Sequence, residues 1–329
     1  MASYILRRAA HAFAALVAVL VIVSVLLRLI PGDPIDAIMA GNPGITAQDK
    51  AALRKQLGLS DPLPVQVAHY LDDLAHGNLG QSLRFQTPVW PIIEGRLMPT
   101  FELTTFALIV AIAVAVPLGL LTALKRDQTA DLVGSIVAVL GLSIPNFLLG
   151  ILLILFFAVE WRIFPAAGRG DSLAGAAWHA VTTGSFAELK QSLRFLILPG
   201  VTLGVAVAAA NARMIRSSMV EVLRQDFVRF AKAKGLPSRT VFLKHAFRNA
   251  LIPVVTILGL QLGYLLSGAF VIENVFAWPG LGRLSVQALL WRDYPLVQGI
   301  VLVTAVIFLT INLLIDVLYV VIDPRIRLR

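Results

Sequence analysis

The sequence predicts an all-α polytopic membrane protein with six spanning helices, and three observations carry that reading. The chain is 58% hydrophobic and only 14% charged, with a mean hydropathy of +0.82, whereas soluble domains carry about one quarter charged residues. The apolar residues are gathered into long continuous runs without the alternation of a barrel strand, so helices satisfy the backbone in hydrocarbon. Finally, Lys and Arg are shared unequally between the two sets of connecting segments, as membrane topology requires.

A spanning helix needs about 20 predominantly apolar residues. Six stretches qualify: residues 12–30, 101–124, 134–159, 196–212, 249–272 and 296–321. The first follows Arg7 and Arg8, as a secretory signal would, but leaves through Arg28-Leu29-Ile30-Pro31-Gly32-Asp33-Pro34. No small-x-small cleavage site stands there, so it reads as an uncleaved span. Residues 31–100 form an external segment with helix-like patches at Thr46–Leu57, behind the turn formers Asn42-Pro43-Gly44, and near Val65–Leu74. Residues 101–329 are then a five-span core.

Within that core, Pro145 in Ser143-Ile144-Pro145-Asn146-Phe147 predicts a kink in the third span. The fourth span is short and is expected to continue past Arg213, whose side chain can snorkel. Gly200 and Gly204 form one smooth face, and Gly259, Gly263 and Ser267 form another on the fifth span. Such faces suit close helix contact within a subunit or between subunits. After the fifth span, Glu273, Asn274 and Trp278-Pro279-Gly280 suit a short interfacial or re-entrant helix.

With the N-terminus inside, sixteen of the 28 Lys and Arg lie on the inner side against five acids, while twelve face thirteen acids outside. Both termini are therefore expected in the cytoplasm. The same asymmetry accounts for the net charge of +9 without nucleic acid, since no basic stripe with interleaved aromatics appears. Attraction to anionic lipid head groups of the bilayer explains part of it.

Other chemistries find little support. There is no cysteine, so disulfides and thiolate chemistry are excluded. The histidines at His11, His69, His76, His179 and His245 are too scattered for a helical metal pair, and no metal site is expected. A membrane enzyme would need nucleophilic or acid–base groups clustered at one depth, and none are seen. An ion-coupled carrier would bury acids or histidines on a relay path; apart from Glu102 at the outer edge of the second stretch, Asp316 is the only acid inside a span. Asn146, Asn211 and Gln261 are candidate contacts along a translocation path, or interhelical hydrogen bonds.

The basic stretch between the fourth and fifth spans, about 213–248, carries the functional reading. It contains Phe227-Val228-Arg229-Phe230-Ala231-Lys232-Ala233-Lys234-Gly235-Leu236-Pro237. Phe227, Phe230 and Ala231 are expected on one helical face with Arg229, Lys232 and Lys234 on others. Gly235 ends that helix as a C′ residue, and Pro237 keeps it ended. A short amphipathic helix of this kind suits docking into a partner's groove. No Gly-x-x-x-x-Gly-Lys-Ser/Thr phosphate loop is present, so any ATP hydrolysis belongs to a separate protein.

This loop resembles the coupling loop of permease subunits from bacterial ABC importers, in the dipeptide/oligopeptide/nickel branch. Pro31-Gly32-Asp33-Pro34, Leu57-Gly58-Leu59 followed by Pro62, Ile272-Glu273-Asn274-Val275-Phe276-Ala277-Trp278-Pro279-Gly280-Leu281-Gly282-Arg283 and Ile322-Asp323-Pro324-Arg325-Ile326-Arg327 resemble that branch too. The likeness covers essentially the whole chain and is strongest to the first of the two permeases in such systems, the dipeptide-permease B type. The resemblance implies a type I importer permease fold in the bacterial inner membrane. It implies a second homologous permease, one or two nucleotide-binding subunits that hold ATP and Mg, and an external substrate-binding protein. No cofactor is expected on this chain.

Residues Phe227 and Arg229 to Gly235 would couple to the ATPase, and Glu273, Asn274 and Trp278 would belong to an external gate or docking surface. The chain departs from the wider family's loop, which has Glu-Ala-Ala, three residues, Gly, and nine residues later Ile-x-Leu-Pro. Arg229 stands at the glutamate position, Phe230 and Ala231 at the alanines, and Phe247-Arg248 at Leu-Pro, with the next proline at Pro253. A role for the acid therefore does not carry over. Dipeptides and oligopeptides lead as cargo, with nickel chelates, glutathione and other small solutes behind.

Overall fold

The computed structural model describes residues 2–29 and 60–322, together with Ile35, Gln48, Ala51 and Arg54. The rest of the expected patch at Thr46–Leu57 and the motifs at 31–34, 57–59 and 323–327 lie outside the described residues. The chain divides into two compact units, one of residues 1–98 and 283–310, the other of 99–282 and 311–327.

In the first unit, α1 (Ala2–Leu29) is the first span and α2 (Leu63–Ala75) is the patch expected near Val65. The helix that becomes the second span, α3, begins at Val89 and runs unbroken to Leu124. It therefore starts twelve residues before the apolar stretch at 101: Glu94, Gly95 and Arg96 lower the hydropathy without breaking the helix. α10 (Leu281–Leu290) is the short helix expected after the fifth span, and α11 (Tyr294–Ile322) is the last. Within this unit Gln298 Nε2 donates to Ser24 Oγ at 2.7 Å, a buried polar link between α1 and α11. The buried Asp293 carboxylate accepts from the Ser82 hydroxyl and from the amides of Leu83 and Arg84, which fixes the turn before α3.

The second unit is built around α7 (Ala187–Val222). Its 36 residues make a rod of about 54 Å against a hydrocarbon core of about 30 Å, so it continues well past Arg213. Buried Leu196, Leu203, Val207, Ala208, Ala212, Ile215 and Met219 give it a core-facing stripe. α6 (Leu173–Thr183) precedes it, capped by Ser172 and stopped by left-handed Gly184. α8 (Asp226–Ala233) follows it, and a π-helical stretch, Val241–Phe247, leads into α9 (Arg248–Val275).

The pairings along α7 give its neighbours their directions. A Cβ on Gly200 would run into the Phe106 ring, one on Gly204 would lie 2.7 Å from the Ala107 carbonyl, and one on Gly119 would meet Ala212 and Ile215. These pairs rise together in number, so α3 is parallel to α7. Conversely, Asp131 reaches Arg216 while Gly141 faces Ala209 and Val205, which makes α4 (Thr129–Ser143) antiparallel. The Gly200/Gly204 face is thus spent on α3 of the same chain. Of the second small-residue set, only Gly263 has a described environment, and it is buried.

The third stretch is a correction to the expected single kinked helix. It is two helices, Thr129–Ser143 and Asn146–Glu160, meeting at 100°. Pro145 lacks an amide hydrogen and forces Ile144 into extended backbone, φ −81° and ψ 122°. The second piece is α5 (Asn146–Leu153), whose continuation through Ile154–Glu160 is π-helical. Among the described residues four helices are long and apolar enough to cross a membrane, and this broken pair makes a fifth. α9, at 28 residues, covers the remaining predicted stretch, and the architecture of the described residues is helical throughout.

Candidate functional site: the docking helix and its supports

The end of α7 carries the candidate site. After Val222 the chain turns through Leu223-Arg224-Gln225 and enters α8. Val228 and Ala231 of α8 are buried in the same apolar cluster as Met219, Val222, Val241, Phe242 and Ala246. This differs from the expected face of Phe227, Phe230 and Ala231. The face turned to the protein is Val228 with Ala231, three residues apart, while Phe227 and Phe230 are exposed. The smaller side chains fit into this cluster against the π-helical stretch, and the larger aromatic ones are left outward.

Termination is fixed by backbone chemistry. Lys234 caps α8, and Gly235 follows at φ +76°. The Leu236 amide donates to the Ala231 carbonyl at 3.4 Å and the Gly235 amide to Lys232 at 2.9 Å, the pairing of a Schellman motif. Pro237 then prevents continuation. Lys234 Nζ lies 4.6 Å from the centroid of Phe230, close enough for a cation–π contact. Arg229 pairs with Asp226 at 3.7 Å, but both are exposed, so the pair adds little rigidity. Lys232 and Ala233 are exposed on the same short helix. The result is a rigid, aromatic and basic knob whose inner side is anchored.

An ion pair near the same end of α7 has no signature in the amino-acid sequence. Asp131, at the start of α4, is buried and receives a fork from Arg216: Nε to Oδ1 at 2.6 Å and Nη2 to Oδ2 at 2.7 Å. Both residues lie beyond the apolar stretches 134–159 and 196–212. Asp131 also accepts the amide of Asp127 at 3.0 Å, holding the left-handed turn between α3 and α4. The Arg216 hydrogen bonds hold the Asp131 carboxyl down at about 2. Residues of opposite sign 85 positions apart leave no periodic signal, and Arg216 was one basic residue among nine in its loop.

Of the three candidate path residues, two meet. Asn211, buried on α7, donates through Nδ2 to the Val207 carbonyl and to Gln261 Oε1 on α9. Asn146 is instead the first residue of α5, at the break after Pro145.

At the other end of this unit, Glu273 and Trp278 are buried and Asn274 is exposed. Thr100 Oγ1 donates to Glu273 at 2.7 Å and accepts the Leu281 amide at 2.8 Å. Trp278 Nε1 donates to the Pro99 carbonyl at 2.9 Å. A Cβ on Gly280 would overlap the Glu273 carboxylate, so only glycine permits this turn. Glu273 and Trp278 therefore hold the loop after α9 onto α3; of the three candidate gate or docking residues, only Asn274 faces outward. Arg169 binds Glu102 through Nε and Nη2 at 2.9 and 2.6 Å and lies 5.9 Å from the centroid of Trp278, extending the same network.

Comparison with known proteins bears on this arrangement. Residues 115–328 match the model of the binding-protein-dependent transport system inner membrane component, and residues 1–104 that of its N-terminal part. The chain is 41% identical over 337 residues to the dipeptide transport system permease protein of Escherichia coli (strain K12), covering 99% of each. It is 41% identical to the dipeptide transport system permease protein of Alkalihalophilus pseudofirmus, covering 99% of this chain and 100% of that one. To the glutathione transport system permease protein of Salmonella typhi it is 42% identical, again over 99% of each. Among solved structures it is similar to a chain of the MetNI methionine ABC transporter in inward-facing conformations, with a TM-score of 0.56 and 17% identity over 70% of this chain and 96% of that one. That likeness concerns the fold.

Proposed function

The chain belongs to the family of inner membrane components of binding-protein-dependent transport systems, and from that premise we propose that it imports dipeptides or short oligopeptides as one half of a two-permease pore. The observation that carries the proposal is α8: an anchored helix with Phe227 and Phe230 outward, stopped by left-handed Gly235. Such a knob fits a groove on a nucleotide-binding subunit. ATP and Mg are held there, and closure of that subunit moves α8 and with it α7. The partners in this reading are a second homologous permease, one or two ATPase subunits and an external substrate-binding protein.

In this reading the bias of Lys and Arg puts both termini, the turn at Lys125-Arg126 and the segment 213–248 in the cytoplasm, with residues 31–100 outside. The Asn211–Gln261 pair lies at the interface of α7 and α9, where opposing movement of these helices would open a polar track. Glutathione, itself a peptide, is a second cargo favoured by the 42% identity to a glutathione permease.

The test is uptake of a radiolabelled dipeptide by proteoliposomes holding the purified complex and its binding protein. Accumulation should require internal ATP and should persist when the proton gradient is dissipated. Uptake that follows the proton gradient without ATP would instead make the chain an ion-coupled carrier.

A further inference from the structure

We propose that the Asp131–Arg216 pair is the positioning link that makes α4 move with α7 when the docking helix α8 is displaced. The inference rests on the coupling role of α8 proposed above.

The link is built for registration. Its fork is bidentate, and Asp131 spends its remaining capacity on the Asp127 amide and on Ser135 Oγ at 3.4 Å. Asp131 is buried and Arg216 half-buried, so removing Arg216 leaves an uncompensated buried carboxylate, whereas an apolar pair of the same size would serve stability as well. What the fork adds is a fixed register between two antiparallel helices.

Glycine contacts reinforce it at both ends. A Cβ on Gly134 would overlap Thr122 of α3, one on Gly119 would lie 2.8 Å from the Ala212 carbonyl of α7, and one on Gly141 would lie 3.2 Å from Ala209. The end of α3, the whole of α4 and the polar half of α7 therefore interlock. α4 then ends at the 100° break, where Ile144-Pro145 offers a pivot. Arg216 lies six residues before the end of α7, which is joined to α8 by a three-residue turn. A push on α8 thus reaches the hinge of the broken span along α7, with the salt bridge setting the register of α4 at the end nearest α8 and the glycine contacts packing the rest.

Because the chain has no cysteine, two introduced ones can carry spin labels. Leu140→Cys on α4 and Arg224→Cys after α7 are both exposed sites. Their separation would be measured in the assembled complex, with the partners' cysteines removed, before and after trapping with ATP and vanadate. In the parent the distance should be narrow and the same in both states. In Asp131→Asn it should shift or broaden on trapping, with uptake per ATP hydrolysed falling about tenfold. The charge swap Asp131→Arg with Arg216→Asp should restore both.

A parent distance that changes on trapping would show that α4 and α7 are not linked, and an Asp131→Asn variant that behaves like the parent would show that the pair is not the link. Loss of assembly in Asp131→Asn, Arg216→Lys and the swap alike would leave the pair a purely structural role, which also overturns the proposal. Gly235→Val separates the two readings: if that variant transports normally, the coupling role itself fails, whatever Asp131 does.

Discussion

Gly235 is the residue on which most depends. Its φ of +76° is one that a side-chain-bearing residue adopts at a cost of about 1–2 kcal/mol, more when β-branched. No atom lies within 4 Å of where its Cβ would stand, so the penalty is conformational rather than steric. Gly235→Val should leave the chain in the membrane while uptake is lost; a Gly235→Asn variant, which tolerates the left-handed region, should retain most activity. Equal uptake by parent and valine variants would refute the role.

At the far end, Thr100→Val removes both the donor to Glu273 and the acceptor for the Leu281 amide. It should cost about 1–3 kcal/mol, read as a lower midpoint of thermal aggregation in detergent. An unchanged midpoint would mean that these buried bonds are replaced by others.

Titration offers another residue-scale test. A carboxyl depressed to about 2 adds stability that is present above its unfolded value of about 4 and is lost as pH falls through about 2. Hence Asp131 stays ionised across physiological pH, and Asp131→Asn should leave the slope of stability against pH unaltered between neutral and mildly acid conditions. A change in that slope would show that the pair titrates there.

Among the elements, the docking helix was largely legible in the sequence and its orientation was not. The glycine stop, the proline after it and the helix before them follow from local backbone rules that need no tertiary partner. Which face turns inward depends on what α7 and the π-helical stretch leave room for, and Val228 with Ala231 fits where Phe227 and Phe230 do not. The broken span shows the same limit. Pro145 announced a disturbance, but 100° rather than a gentle bend depends on the packing of both halves. Glu273 and Trp278 stood in a motif that suited a short interfacial or re-entrant helix, and their burial through hydrogen bonds to Thr100 and Pro99 depends on tertiary neighbours that no motif names. Replacing Pro145 with alanine should restore one backbone donor and straighten the span, stiffening the hinge. Uptake should fall while ATP hydrolysis continues, and unchanged uptake would argue against a hinge there.

For the whole molecule, composition and charge alone marked a multi-pass membrane protein of helices, because hydropathy and positive-charge bias act on every span at once; the permease reading needed the motifs. Ion pairs between distant positions, such as Asp131 with Arg216 and Glu102 with Arg169, stayed hidden because they depend on which helices become neighbours. Single cysteines at Ser238 and at Thr183 give a topology test, since the chain has none of its own. A membrane-impermeant thiol reagent added outside cells should label the second and not the first; the reverse pattern would invert the proposed orientation.

The most direct test of the account is retention of the ATPase by the docking helix. The chain would be affinity-purified in mild detergent, alongside a Phe227→Asp, Phe230→Asp variant whose substitutions fall only on the exposed face. The parent should bring down a second permease and its ATPase subunits, and the variant should keep the permease and lose the ATPase. A parent chain that purifies alone, or a variant that retains the ATPase in full, would contradict the assignment of α8 as the docking helix.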